Sequence, residues 1–251
     1  IFLLVITYLT AKPIRGTNSW LTIGQLRFQP SELVKIILIL LYASFFSRRH
    51  LEVSVIKNIT ASFFYFFLPA VLVFIQPDMG MTLIFFGIWF GFLIVSGLKW
   101  QRLLIGVLIL ILALAVLWLI FLKPYQKERI LGFIFPERNP LGTNYNVIQS
   151  KIAIGSAGLF GKGFRQGTQS QLGFLPEAQT DFIFSALVEE WGLIGGLLLL
   201  SVFLLLIFRI IKIGLKSDNN CAKFICLGAV ITFALQFFLN IGSGLGLSPV
   251  I

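Results

Sequence analysis

The sequence predicts an all-α fold, a polytopic bundle of transmembrane helices with one long extracellular loop. Three observations lead there. Charged residues make up 12% of the 251-residue chain and hydrophobic residues 57%, whereas soluble domains carry about 25% charge. Mean hydropathy is +0.94. The apolar residues are gathered into seven runs, most of them long enough to cross a bilayer. This composition excludes soluble enzymes, disulfide-stapled secreted modules and disordered tails.

The runs are Ile1–Leu9, Leu33–Phe46, Ile59–Ile75, Met79–Leu98, Leu103–Leu122, Phe182–Phe208 and Phe224–Leu247. A spanning helix needs about 20 residues, with roughly 17–25 the usual range. The second run reaches that length once Ser31, Glu32 and Ser47 are included. The first is partial, because the chain opens inside it at Ile1 and closes on Pro249-Val250-Ile251, as the middle of something larger would. Residues 1–251 are therefore expected to form one integral membrane domain of six full spans and one partial span. Residues 123–181, rich in Gly, Gln and basic residues, are its large extracytoplasmic loop.

Orientation follows from the short loops. Arg48, Arg49 and Lys57 share one; Lys99 and Arg102 sit in a second; Arg209, Lys212, Lys216 and Lys223 fill a third. Alternation places all three on one side, and the positive-inside rule makes that side cytoplasmic. The long loop and the turns near residues 11–31 and 76–79 then face outward. The net charge of +10 points to anionic lipid headgroups or a lipid phosphate rather than to nucleic acid.

Three outward turns share a pattern. Gln29-Pro30-Ser31-Glu32, Gln76-Pro77-Asp78 and Leu175-Pro176-Glu177 with Thr180-Asp181 each set a Pro or Thr and an acid just before an apolar run. Pro in the first turn and a carboxylate at the positive helix end are ordinary capping chemistry. Three such acids on one membrane face are also functional candidates. The glycine-rich stretch Gly155–Gly163 is no P-loop: Ser156 stands where its first glycine belongs, and Gly163 where its final Ser or Thr does. His50 is the only histidine, so a histidine triad or a multi-histidine metal site is excluded. Cys221 and Cys226 form no CxxC pair and read as packing residues. The many Phe side chains are expected on the lipid-facing surface, and several Trp at the membrane interface.

What remains is carboxylate and cation chemistry on the outer face. Acids supply a general base or hold a divalent metal, and cations neutralise a phosphate leaving group. Glycosyl transfer from a lipid-pyrophosphate sugar needs both and no ATP. Ion or solute transport uses the same residue types, and the residues alone leave the two open.

The sequence resembles the SEDS family (shape, elongation, division and sporulation) of RodA/FtsW type. The segments that carry this are Trp20–Gly24 with Arg27–Lys35, Gln76–Gly80, Gln149–Gly155, Gly167–Gln171, Phe174–Glu177, Thr180–Phe184 and Glu189-Glu190. The Gly-Thr-Gln-Ser-Gln segment is closer to the rod-shape branch. The resemblance implies a polytopic helical protein whose third to ninth spans this chain matches. It also implies peptidoglycan glycosyltransferase activity that polymerises lipid II at the outer face of the bacterial cytoplasmic membrane during elongation.

On that resemblance Asp181 is the catalytic carboxylate, a general base on the acceptor 4-hydroxyl. Arg27, Glu32, Lys35, Asp78, Lys151, Gln169 and Ser170 are the substrate-binding positions. Implied partners are lipid II, a class B penicillin-binding protein transpeptidase and the elongation machinery, with no nucleic acid. No cofactor is fixed, and a divalent cation, Mg or Mn, stays open. A flippase for lipid-linked precursors is the alternative. Two positions depart from the family pattern, Ser19 for a basic residue and Ala157 for a glycine. The residues agree with this assignment: Asp181 leads into a span, where the helix N-terminus favours its ionised form. Lys35 follows Glu32 by three residues and is placed to pair with it.

Overall fold

The computed structural model describes residues 1–11, 18–23, 26–49, 56–98, 100–102, 104–106, 108, 127, 131 and 144–248. In chain order these form α1 (Phe2–Thr10), strands β1 (Leu21–Ile23) and β2 (Leu26–Phe28), α2 (Pro30–Arg49), α3 (Ile56–Ile75), α4 (Met79–Val95), α5 (Tyr145–Ser156), α6 (Thr168–Gln171), α7 (Ile183–Lys216) and α8 (Asn220–Leu245). The fold is all-α apart from the antiparallel β1–β2 hairpin, which the alternation of apolar residues did not announce. Among the described residues four helices, α2, α3, α7 and α8, are long and apolar enough to cross a membrane, and α4 is a shorter apolar helix. The chain is a multi-pass membrane protein. The run Leu103–Leu122 and most of the loop before residue 144 lie outside the described residues, as do His50, Glu128 and Glu137.

Two compact units form, one from Ile1–Ile105 with Ile207–Leu235, the other from Gly106–Leu206 with Gln236–Val250. In the first, the core is aromatic. Phe46 and Phe92 stack at 5.7 Å and 14°, Tyr42 tilts against both, and Phe224 of α8 stacks on Phe92 at 6.3 Å. Tyr42, Phe46, Phe85 and Phe92 are fully buried. Part of the Phe excess is thus core and not lipid-facing surface, because offset ring pairs fill space between helices that lipid cannot reach. Trp89 likewise leaves the interface, stacking on Phe66 at 5.6 Å and donating to Ser62 Oγ at 3.1 Å.

Glycines let α8 approach. A Cβ on Gly228 would lie 2.5 Å from Ile39 and 2.9 Å from Phe92, and one on Gly91 2.9 Å from Ile231. Small residues at such contacts are how membrane helices gain dispersion energy, since lipid supplies no hydrophobic drive between them.

In the second unit, α7 is interrupted at Gly192, whose φ of 72° and ψ of −174° are not helical. The break frees backbone groups, and the segment after α5 takes them up. Lys162 and Gly163 N–H donate to the Glu189 and Glu190 carbonyls at 3.0 Å. Leu193 and Ile194 N–H donate to the Gly158 and Leu159 carbonyls at 3.0 and 3.2 Å. The approach is so close that a Cβ on Gly161 (φ 79°) would lie 2.2 Å from the Glu190 carbonyl oxygen.

Gly161→Ala is therefore expected to destabilise by about 3 kcal/mol or more, combining a left-handed φ with a backbone overlap. Gly155→Ala, in α5 with open space around it, should be neutral or slightly stabilising. Detergent-titrated unfolding of both variants checks the contrast, and equal stabilities would refute it.

Candidate functional site

In the first unit the two Gln-Pro turns act as pins. Gln76 is buried, and its Nε2 donates to the Leu4 carbonyl at 2.8 Å, holding α1. Its own carbonyl accepts from Asn18 N–H at 3.2 Å. Asp78 is the N-cap of α4, with Oδ1 accepting from Met81 N–H at 3.1 Å. Its Oδ2 accepts from Gln29 Nε2 at 2.8 Å, which fixes the entry to α2, and the Ser19 hydroxyl adds a further bond. One turn into α2, Lys35 Nζ meets Glu32 Oε2 at 2.6 Å. The lysine is 7% exposed and the glutamate 49%. This is the pairing expected from their spacing. Arg27 is exposed on β2, opposite Thr22.

Burial raises the Asp78 carboxyl above its ordinary pKa, against the bonds from Met81, Gln29 and Ser19, and the Glu32 charge adds to the rise. A carboxyl raised by folding makes the native state bind more protons than the unfolded chain. Its contribution is complete below the unfolded pKa of about 4 and is lost as pH rises through the folded value. Asp78→Asn keeps the cap and removes the titration. Wild type should therefore lose stability relative to that variant as pH rises above about 4, as read by thermal unfolding in detergent. Parallel pH profiles would contradict this.

The second unit holds Asp181. Glu177 adopts a φ of 56°, and its carbonyl accepts from Thr180 and Phe182 N–H at 3.1 and 3.2 Å, closing the turn that delivers Asp181 to the head of α7. Asn240 of α8 donates Nδ2 to the carbonyls of Thr180 at 3.3 Å and Asp181 at 3.2 Å. One turn further on, Ser185 and Ser150 share a 2.6 Å hydroxyl bond, and Ser150 also donates to the Gly244 carbonyl at 2.7 Å. Three helices thus meet beside Asp181. Lys151 follows Ser150 on α5, and its ammonium lies 2.7 Å from where a Cβ on Gly246 (φ 69°) would stand.

Gln169 and Ser170 are organised by Glu189, whose carboxylate is fully buried. Oε1 accepts from Lys162 Nζ at 2.8 Å, Gln169 N–H at 2.8 Å and Thr168 Oγ1 at 3.3 Å. Oε2 accepts from Ser170 N–H at 3.0 Å and Ser170 Oγ at 2.9 Å. The Gln169 Oε1 is buried without a hydrogen-bond donor among the described residues, leaving it open to a ligand or water donor. Beside it, Gln171 bonds Glu190 at 2.9 Å, and a cleft runs past Ser170, Gln179, Ile183 and Trp191.

The structure brings together Asp78 with Glu32 and Lys35 in one unit; the other unit holds Asp181, Lys151, Gln169 and Ser170, of which Gln169 and Ser170 meet on Glu189. Sequence reasoning did not assign Glu189, Asn240 or Gln29 to the site. The repeated Gln-Pro was the available signal for Gln29; for Glu189 it was Gly192, three residues on. Among the described residues no three of His, Cys, Asp and Glu gather into a metal-holding group.

The family profile described as a cell cycle protein of FtsW, RodA and SpoVE matches residues 1–251. The chain is 41% identical over 239 residues to the peptidoglycan glycosyltransferase MrdB of Escherichia coli, covering 94% of this chain and 64% of that protein. It is 36% identical over 243 residues to stage V sporulation protein E of Bacillus subtilis, with 94% and 64% covered. Among solved structures, a peptidoglycan synthase complex that coordinates polymerization and crosslinking is similar at TM-score 0.82 and 32% identity, over 99% of this chain and 69% of that one. An aspartate-to-alanine mutant of the Thermus thermophilus rod shape determining protein RodA is similar at TM-score 0.66 and 25% identity, over 99% and 65%. The chain spans 64% of the length of these curated relatives.

Proposed function

We propose that this chain, which belongs to the SEDS family of FtsW, RodA and SpoVE, is the membrane core of a rod-shape-type peptidoglycan glycosyltransferase acting on lipid II at the outer face of the bacterial cytoplasmic membrane. The observation that carries this reading is the mounting of Asp181: a carboxylate at the head of a helix, its backbone fixed by Asn240, with Lys151 on the adjoining helix.

In this reading Asp181 takes the proton from the acceptor sugar's 4-hydroxyl. That oxygen attacks the anomeric carbon of the donor as the bond from carbon to pyrophosphate oxygen breaks, and the lipid pyrophosphate leaves with the electron pair. A carboxylate is already ionised at neutral pH and needs no activation. Lys151 is the cation that this reading assigns to offset charge building on the leaving group. Gln169, with its unpaired amide oxygen, and Ser170 are the residues that hold sugar or peptide groups. Asp78, Glu32, Lys35 and Arg27, all in the first unit, are the further substrate-binding positions of this reading. Similarity to a peptidoglycan synthase complex supports a penicillin-binding protein as partner. A divalent cation stays open, and no step here passes through one.

The test is polymerisation of labelled lipid II by the full-length parent of this chain, purified with its partner and with the transpeptidase blocked. Glycan ladders are expected. No ladders despite intact folding and lipid II binding would overturn the reading in favour of a flippase, to be measured as lipid II transfer across liposomes.

A further inference from the structure

We infer that the turn Gly158–Arg165 is a membrane anchor, its apolar tip seated in the boundary between headgroups and acyl chains of the leaflet that α7 enters. This rests on the chain's being a multi-pass membrane protein, not on its chemistry.

The uncharged run from Trp191 to Phe208 ends at Arg209. At 1.5 Å per residue, a hydrocarbon core of about 30 Å takes about 20 residues. Counted back from Arg209, that length reaches Glu189 and Glu190. The turn is hydrogen-bonded to the backbone of Glu189, Glu190, Leu193 and Ile194, so it lies at the depth where the core begins.

Phe160 is 79% exposed, Phe164 67%, Leu159 59% and Trp191 58%. Leu197 and Leu198 of the span are exposed to the same degree. Trp191 meets Phe164 edge-on at 6.4 Å, and the Arg165 guanidinium lies 5.5 Å from the Phe164 ring. Aromatic rings with an adjacent cation suit the headgroup level, where the cation reaches anionic phosphate.

Irregular chain is tolerated at that depth only where its N–H and C=O groups are satisfied within the protein. The Gly192 break does this for the turn. The same depth explains why the Glu189 charge is paired with Lys162 and shielded from solvent.

The test uses a cysteine-free background (Cys221→Ser, Cys226→Ser) with nitroxide labels at Phe160→Cys and Phe164→Cys, in vesicles of phosphatidylethanolamine and phosphatidylglycerol. Collision with oxygen, which enters the bilayer, is compared with collision with a nickel chelate, which stays in water. Leu198→Cys serves as the lipid reference and Asp218→Cys as the water reference. Labels at Phe160 and Phe164 should meet oxygen like that at Leu198, with severalfold less nickel collision than at Asp218. Nickel collision equal to that at Asp218 would overturn the proposal. Protection from both reagents would also overturn it, because a protein partner or second copy would then cover the turn. Quenching of Trp191 by brominated lipids, read against Trp191→Phe, checks the result without a label. Absence of that quenching counts against the anchor.

Discussion

Asp181→Asn in the full-length parent is expected to lower glycan-strand formation about 10²–10⁴-fold, the usual worth of a positioned general base, while lipid II binding persists. The substitution is nearly isosteric. It leaves intact the carbonyl that accepts from Asn240 and the Glu177 turn behind it, so the loss reports proton transfer and not misfolding. Asn240→Ala tests the mounting separately. It keeps the base but frees its backbone, and should lower kcat more than it raises KM. Ladders from Asp181→Asn at the parental rate would remove this residue as the base.

Glu189→Ala is expected to cost about 3–5 kcal/mol, the penalty of breaking a buried ion pair by deleting one partner. It strands Lys162 and leaves the N–H groups of Gln169 and Ser170 without an acceptor. Lys162→Met should cost clearly less. The lysine is 24% exposed, and Glu189 keeps its bonds from Thr168, Gln169 and Ser170 when the ammonium is gone. Detergent-titrated unfolding of the two variants gives the order. A larger loss from Lys162→Met would show that the charge pair, rather than the hydrogen-bonded turn, dominates.

The helices were legible where apolar runs are long and bounded. The α2 run grows to Pro30–Arg49 because Pro30 can open a helix and the Arg48-Arg49 pair closes it. The run ending at Phe208 underestimated α7, which continues to Lys216. Arg209 and Lys212, taken for loop cations, are carried on the helix, where long stems let their charges reach the interface. The role of Asp181 rests on family resemblance, and its place just before a helix was legible. What held it was not: Asn240 lies 59 residues away and Gln29 lies 49 from Asp78, separations that no local periodicity encodes. Glu189 entered the sequence reading only through the Glu189-Glu190 segment of the resemblance, and only the Gly192 break explains why the loop folds onto it. The burial of Phe46 and Phe92 was hidden because core and lipid select the same side chains.

The interruption at Gly192 has a mechanical meaning as well. An unbroken helix of 34 residues would act as one lever, and any tilt of its membrane portion would swing the carboxylate at its head. With the ladder opened at Gly192 there are two rods and a joint. Asp181 rides on the short outer rod, tied to α8 through Asn240 and to α5 through Ser185 and Ser150. A sideways push on the long inner rod is delivered through Leu193 and Ile194 into Gly158 and Leu159. The segment that leads to Gln169 and Ser170 feels the push first, while Asp181 stays anchored to its two neighbouring helices.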